Sequence, residues 1–265
     1  KLAFPDEKPA LKDHAFDAVA SMYLQPTDIF HGWANHSLIQ LRQAKKLNGK
    51  CITIIERASS HVLLQNQILI REYKQFGIKS DPIHPWAIKK MLIEYKESNF
   101  VSVPSKFVYD SFIDEKYPKE KMIFNQYGVD TEKFVPKPIE HDKFTAIFVG
   151  QNWIRKNLYR VEKAWSTLNL KNSKLLARCD APVFEDMNRK KIEVVEWIEN
   201  IRDFYNSCDV MIMPSLEEGR CLVVLEAMAS GIPVIISKNT GVEITDGKEG
   251  FYVDPYNIKS IQDRI

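Results

Sequence analysis

Two glutamates flank the start of a short apolar segment with a helical pattern, Glu218 just before it and Glu226 within it. Seven residues separate them, about two helical turns, so both carboxylates can lie on one side of the helix. The first N–H groups of a helix lack partners within it and carry about half a positive charge, which favours a bound diphosphate. Gly219 would let the backbone approach such a ligand closely. The pattern predicts that the two carboxylates hold opposite ends of one ligand. The simpler alternative is that Glu226 is solvated and Glu218 only complements the helix dipole.

Short apolar runs alternate with longer amphipathic runs along the chain, and this alternation predicts the strands and helices that position the glutamate segment. This pattern is typical of strand–helix units that form parallel sheets. We predict helices around Phe16–Tyr23, His61–Phe76, Trp86–Lys96, Asn157–Leu170 and Leu222–Ala229, and strands at Asp28–Phe30, Cys51–Ile55, Phe100–Val103, Met122–Phe124, Phe144–Val149, Lys174–Ala177, Glu193–Ile198, Val210–Met213, Pro233–Ile236 and Phe251–Val253. The glutamate segment begins where one of these strands ends, which is where ligands bind in open α/β sheets.

The chain length and two nearby prolines predict two domains. The 265 residues are enough for two modest α/β cores. Pro136 and Pro138 precede a new strand and cannot continue a helix or a central strand, so we place the linker there. The predicted domains are residues 1–138 and 139–265. Because the first opens with a helical pattern and the last helix stops at Ile265, we expect an incomplete N-terminal strand region and an incomplete C-terminal helix.

Composition excludes several classes of protein. Hydrophobic residues make up 45% of the chain and charged residues 27%, typical of a globular protein, and no run approaches the roughly 20 apolar residues of a membrane span. The net charge of +2 is too small to suggest nucleic-acid binding. The cysteines are widely spaced, which disfavours zinc knuckles and disulfide frameworks and favours a reducing cytoplasm.

The segment from Met213 to Pro255 resembles the nucleotide-sugar-binding signature of the retaining family-four glycosyltransferases of GT-B fold. Pro214-Ser215, Glu218-Gly219, Glu226 and Ala227-Met228-Ala229-Ser230-Gly231-Ile232-Pro233-Val234 occur in the family's order and spacing. The resemblance implies two Rossmann-like domains with the donor site in the cleft between them. The first would be the acceptor-side domain and the second the nucleotide-sugar-binding domain. It also implies that Glu218, the catalytic candidate, holds hydroxyls of the donor sugar and that Glu226 holds the nucleotide ribose.

A second match follows the strand Phe144–Val149. In the family, a glycine at the end of this strand is followed by a basic pair that clamps the diphosphate, and Gly150, Arg155 and Lys156 occupy those places. Two cations fit this task because negative charge develops on the leaving pyrophosphate. A solvated basic loop is the alternative. Asn157 stands where the family often has glycine.

The donor-side match has one further departure, because Arg220-Cys221 replaces the usual Phe-Gly. Arg220 would either lie near the phosphates or point to solvent. Cys221 is interpreted as a small packing residue and not a nucleophile. Leu222 and Val223 open the helix, so all four are included among the donor-binding candidates.

The acceptor side matches less well. The family commonly has a histidine after the second strand, whereas this chain has Glu56. Glu56, Arg57, Ser59 and His61 are therefore the acceptor-side candidates. A weaker hypothesis assigns Arg42, Lys45, Lys46 and Lys50, on one helical pattern, to anionic lipid at the inner face of the membrane.

Competing functions lack their motifs. The Gly-x-Gly-x-x-Gly turn of dinucleotide-dependent oxidoreductases is absent, as is a Walker phosphate loop. No Asp-x-Asp follows a strand, so we expect no metal and no cofactor. The resemblance implies a hexosyltransferase. The expected donor is a UDP-sugar, with GDP-mannose as the second choice. The expected acceptor is a glycan or lipid-linked sugar in polysaccharide or cell-envelope synthesis. The alternative is a catalytically inactive nucleotide- or sugar-binding module.

Overall fold

The computed structural model describes residues 8–179, 192–195 and 198–265. The chain divides into two compact units, residues 1–126 and 127–265. Each unit has a parallel β-sheet and helices, which confirms the predicted α/β class. Among the described residues, no helix combines the length and the apolar character needed to cross a bilayer.

The first unit has a four-stranded sheet in the order β1-β2-β3-β4. Its strands are β1 Ile29–Trp33, β2 Ile52–Glu56, β3 Phe100–Val103 and β4 Met122–Phe124, and its helices are α1 Lys8–Met22, α2 Leu38–Leu47, α3 Val62–Gln75, α4 Pro85–Glu97 and α5 Lys106–Asp114. Apolar side chains from these strands and from α2 to α5 form the core. In the parallel register Glu56 lies opposite Trp33 and Ser102, so the last residues of β1 and β2 meet at one edge.

A buried charged group holds the turn between β1 and α2. Asp17 on α1 accepts hydrogen bonds from the backbone N–H groups of Ile39 and Gln40 and pairs with Lys90 of α4 at 2.8 Å. Glu94 accepts from the backbone N–H groups of Asn35 and Ser37. Two neighbouring helices thus supply the carboxylates that cap α2, a function that Ser37 at its N-cap does not perform with its own side chain.

The second unit has a six-stranded sheet in the order β10-β9-β8-β5-β6-β7. Its strands are β5 Phe144–Val149, β6 Ser173–Arg178, β7 Ile192–Val194, β8 Val210–Met213, β9 Val234–Ile236 and β10 Gly250–Tyr252, and its helices are α6 Leu158–Leu168, α7 Ile201–Asn206, α8 Leu222–Ala229 and α9 Ile258–Gln262. The chain winds from β5 towards β7 and then returns to β8 on the other side of β5. The point between β5 and β8 is a topological switch point, where open α/β sheets bind ligands.

Most predicted elements occur within a few residues of their expected bounds, with three differences. The first helix begins at Lys8, and α2, α5 and α7 were not assigned bounds. The predicted strand Glu193–Ile198 includes residues 196–197, which lie outside the described part of the chain; the observed strand is Ile192–Val194. Lys50 lies beyond the end of α2 at Leu47, so the four basic residues do not share one helix.

The predicted linker lies within the second unit. Asn206 accepts a hydrogen bond from the backbone N–H of Lys137 at 2.8 Å and donates one to the carbonyl of Val135. The buried Phe134 ring packs against Tyr205, with ring centroids 5.9 Å apart. These contacts bind the segment before β5 to α7, and the division between units falls at residues 126 and 127.

Candidate functional site

The loop after β5 has a left-handed residue where the resemblance leads one to expect glycine. Asn157, the N-cap of α6, has φ 69°, a conformation that asparagine tolerates better than most residues. Its buried side-chain amide donates to the carbonyls of Pro214 and Pro255 at 3.0 and 2.7 Å. Asparagine therefore meets the backbone requirement and also ties the loop after β5 to the loop after β8.

Gly150, at the end of β5, makes room for a lysine. A Cβ atom at this position would lie 3.0 Å from Cγ of Lys156 and 3.2 Å from its Cδ and Cε. The lysine stem therefore crosses the sheet edge directly above the glycine. A larger residue at position 150 would displace Lys156, so the glycine and the basic pair form one structural feature.

The two cations of the predicted clamp meet two carboxylates of the loop after β8. Lys156 forms an ion pair with Glu218, and Nη2 of Arg155 lies 3.4 Å from the same carboxylate. Nη1 of Arg155 lies 3.6 Å from Oε2 of Glu217, which is fully buried. Glu217 is a member of this cluster that the motif order does not indicate. The structure therefore brings the predicted basic pair and Glu218 together in a cluster of two cations and two carboxylates.

Cys221, the N-cap of α8, closes this cluster. Nζ of Lys156 lies 3.6 Å from the cysteine Sγ, and the Cys221 backbone N–H donates to the Thr240 carbonyl at 2.9 Å. Burial, with the Glu218 carboxylate, raises the pKa of the Cys221 thiol to about 11, so the thiol is protonated near neutral pH. Burial would lower the pKa of Lys156, but the adjacent Cys221 and Glu218 outweigh that effect and raise it.

Glu226 lies about one turn into α8, and Glu218 lies in the loop that precedes this helix. The half-buried Glu226 accepts a hydrogen bond from Oη of the fully buried Tyr205 at 2.7 Å. Burial, and next this hydrogen bond, raises the pKa of Tyr205, so its hydroxyl remains a donor. Tyr205 fixes the direction of the Glu226 carboxylate, which distinguishes Glu226 from a freely solvated helix residue. Leu222 and Val223 form the first turn of α8.

The partly buried Arg220 side chain contacts two backbone carbonyls. Its Nε donates to the carbonyl of Tyr127 at 2.9 Å and its Nη1 to the carbonyl of Gly241 at 3.3 Å. Burial lowers the pKa of this guanidinium, an effect that Glu243 opposes. Arg220 therefore ties the start of the second unit to the turn after β9, while the neighbouring Gly219 is buried in the loop.

The acceptor-side candidates lie in the first unit and fall into two pairs. Arg57 and His61 point inwards: the Arg57 guanidinium donates to the Ser60 carbonyl and to Gln65, and the His61 ring packs edge-on against Phe112 at 4.7 Å. Glu56 ends β2 and lies 3.0 Å from Nε2 of the half-exposed His31. Ser59 is partly exposed in the loop between them. Glu56 thus lies at the carboxyl end of β2, and Ser59 is the only one of the four candidates that is partly exposed.

No group of three or more His, Cys, Asp or Glu residues is arranged to hold a metal ion within the described residues.

Comparison with known proteins finds similarity to glycosyltransferases. Residues 143–265 match the family model of glycosyl transferases group 1. The motif resemblance is thereby confirmed. The UDP-Gal:alpha-D-GlcNAc-diphosphoundecaprenol alpha-1,3-galactosyltransferase of Escherichia coli is 27% identical over 159 residues, which are 50% of this chain and 41% of that protein. Sulfoquinovosyl transferase SQD2 of Arabidopsis thaliana is 26% identical over 198 residues, 66% of this chain and 38% of the relative. Each match spans less than half the length of the relative.

Solved structures establish the fold over nearly the whole chain. Sucrose-phosphate synthase from Thermosynechococcus elongatus superposes with a TM-score of 0.70 at 17% identity, covering 98% of this chain and 69% of that one. An alpha,alpha-trehalose-phosphate synthase (UDP-forming) from Burkholderia vietnamiensis gives a TM-score of 0.70 at 13% identity, covering 99% and 72%. The fold is therefore GT-B, as the sequence predicts.

Proposed function

We propose that this protein transfers a hexosyl group from a nucleoside-diphosphate sugar, UDP-hexose first, to a glycan or lipid-linked acceptor in polysaccharide or cell-envelope synthesis. The observation that carries the proposal is the convergence of Arg155 and Lys156 on the loop just before α8, at the switch point of the second sheet, with Glu226 about one turn into that helix. The match of residues 143–265 to the glycosyl transferases group 1 model and the names of the relatives support it.

In this proposal the diphosphate binds between the basic pair and the start of α8. Without donor, Glu217 and Glu218 balance the two cations, so the cluster is close to neutral. A diphosphate therefore has to compete with Glu218 for Lys156 and gains the unpaired N–H groups of the helix start. The same cations then stabilise the charge that develops on the leaving phosphate as the glycosidic bond breaks.

Glu218, released from Lys156 or bridging to it, is placed to accept hydrogen bonds from the sugar hydroxyls. We assign it the role of orienting the sugar as the anomeric carbon becomes cationic. The reaction proceeds with retention through a front-face path in which the leaving phosphate oxygen takes the acceptor proton. No metal is required in this scheme, because the helix start and the basic pair supply the positive charge. The protonated thiol of Cys221 has a packing role.

Glu226 is assigned to the ribose of the nucleotide. Its carboxylate accepts one hydrogen bond from Tyr205, which leaves further acceptor positions for ribose hydroxyls. We place the protein in the cytoplasm, at or near the inner membrane face where lipid-linked acceptors lie. The ion pair of Arg42 with Glu97 lowers the charge available to lipid, and Lys45 donates to the Glu97 carbonyl. Lys46 and Lys50 remain as exposed candidates for a lipid contact.

Thermal-shift measurements with UDP-, GDP- and ADP-sugars test the donor class, since a ligand that binds only the folded state raises apparent stability. The expected result is a shift with UDP-hexoses that exceeds the shift with the other two. A hydrolysis assay on the same donors then separates the enzyme from the inactive binding module: slow release of UDP is expected from the enzyme. Absence of any shift with all three donors would contradict the proposal.

A further inference from the structure

A cavity of about 530 Å³ lies in the first unit, apart from every candidate discussed above except His31. It is bounded by α1, the end of β1 and the start of α2, and its lining consists of Lys12, Asp13, Phe16, His31, Gly32, Trp33, His36, Ser37 and Gln40. Its volume is in the range of small-ligand sites, and it opens at the carboxyl end of a parallel strand, where such sites occur.

The walls of the cavity include two exposed aromatic rings. Trp33 is 55% exposed and Phe16 is 59% exposed, although large aromatic side chains gain free energy when they are buried. Phe16 packs edge-on against the ring of His36 at 6.1 Å, which holds it at the mouth of the cavity. Such surfaces suit a ligand with an apolar face, for example the C–H face of a sugar ring.

Polar groups beside the aromatic rings are held in place by hydrogen bonds. Asp13 accepts from the Asn35 side-chain amide at 2.7 Å and lies 3.6 Å from the His36 ring. The Gln40 amide donates to the His36 carbonyl at 2.7 Å. Because Asp17 and Glu94 fix the turn that carries these residues, the polar groups are preorganised for hydroxyl groups.

The shape of the cavity depends on the close return of the chain after β1. A Cβ atom at Gly32 would lie 2.3 Å from Oγ of Ser37, so this position accepts no larger residue without moving the turn. The charge of the lining favours an uncharged ligand, because Lys12 and Asp13 contribute one charge of each sign. A phosphate or carboxylate would gain little here, whereas a polyol can both donate and accept.

We infer that this cavity binds a neutral sugar unit of the glycosyl acceptor, with its C–H face against Trp33 and Phe16 and its hydroxyls towards Asp13, His36 and Gln40. The inference rests on the proposed function, which requires a second substrate in addition to the donor. His31 connects the cavity to Glu56 at the neighbouring strand end, so the bound sugar would lie beside a predicted acceptor-side residue.

Saturation-transfer NMR on the intact chain tests this inference directly. The probes are methyl glycosides of glucose, galactose, mannose and N-acetylglucosamine. At least one should bind the wild type, and its affinity should fall about fivefold or more in Trp33→Ala and in Phe16→Ala. Trp33→Phe should keep part of the affinity. Tyr23→Ala is the matched control, because Tyr23 is an aromatic residue near the end of α1, 77% exposed and outside the cavity lining.

Failure of all four glycosides to bind, or equal affinity in Trp33→Ala and Tyr23→Ala, would overturn the inference. Stronger binding of glucose 6-phosphate than of methyl glucoside would overturn it as well, since the cavity would then select a charged ligand. Calorimetric titration of UDP into the same proteins measures nucleotide binding by the second unit independently of the cavity. A chain that binds a glycoside but not UDP keeps the sugar site and removes the donor proposal together with the acceptor role, whereas a chain that binds UDP but no glycoside keeps the donor proposal and overturns the sugar site.

Discussion

Glu218 and Lys156 form the ion pair on which the catalytic assignment depends. Glu218→Gln should lower kcat about 10²-fold, because the variant loses a carboxylate that orients the sugar in the transition state. UDP itself should bind at least as tightly as in the wild type, since the cations lose a competing negative charge. Steady-state kinetics and UDP calorimetry on one preparation measure both effects. A variant that loses UDP affinity but keeps kcat would contradict the assignment.

Tyr205 is a positioning residue for Glu226. Tyr205→Phe removes the hydrogen bond that directs the carboxylate, worth about 1 kcal/mol, so KM for the donor should rise about fivefold while kcat stays nearly constant. Glu226→Gln should show the same separation, with UDP and UDP-sugar affected alike. Tyr256→Phe, a change on a partly exposed ring, is the control and should alter neither parameter. A fall in kcat without a change in KM would argue against a ribose contact.

The charged residues of the candidate site could be named from the sequence, but the residues that hold them could not. Glu218, Glu226 and the basic pair follow from local spacing and motif order. Tyr205 and Glu217 did not, because their contacts join positions that only the fold brings together. Asn157 departs from the glycine that the family often has at this position. Its left-handed backbone, with φ 69°, and its two hydrogen bonds to carbonyl groups depend on the folded loops, so no local sequence pattern predicts them.

At the scale of elements, the histidine at the start of α3 should make the stability of the protein depend on pH. His61 is the N-cap of α3, and burial, followed by the charge of Arg57, lowers its pKa to about 4. The unfolded chain binds this proton near pH 6.5, so the stability contributed by His61 should fall as the pH drops from about 6.5 to about 4, below which His61 adds no further change. The loss corresponds to about 3 kcal/mol.

Urea unfolding at a series of pH values checks this expectation, with His61→Asn as the variant. Asparagine can cap the helix but does not titrate, so the dependence on pH between 6.5 and 4 should become shallower. His84→Asn is the matched control, since His84 caps α4 in the same way but is exposed. An identical pH dependence in wild type and His61→Asn would show that His61 is not responsible.

Strand positions were predicted more closely than helix bounds for a physical reason. A strand buried on both faces, such as β5 or β8, is a continuous apolar run whose ends are abrupt. The helices α2, α5 and α7 are short and mix polar with apolar residues, so their stability comes from packing and from caps supplied elsewhere. For α2 these caps are Asp17 and Glu94, which lie on other helices.

For the whole molecule, the α/β class and the two sheets were predictable, whereas the boundary between units was not. Pro136 and Pro138 mark a break in regular structure, but the segment that contains them is bound to Asn206 and Tyr205 of the second unit. Prolines in the sequence show where the chain cannot be helical, but long-range hydrogen bonds decide which of the two cores a segment packs against. The order of strands around β5 likewise emerges only from the folded sheet.

The central claim is that the switch point of the second unit binds the diphosphate of a nucleotide sugar. Calorimetric titration of UDP into Lys156→Ala tests it most directly, with Lys163→Ala, an exposed lysine of α6, as the matched control. Loss of a charged hydrogen bond should cost about 1.5–3 kcal/mol, which is roughly a tenfold to 150-fold loss of affinity. The control should bind UDP as the wild type does. Equal UDP affinity in Lys156→Ala, Lys163→Ala and the wild type would contradict the account.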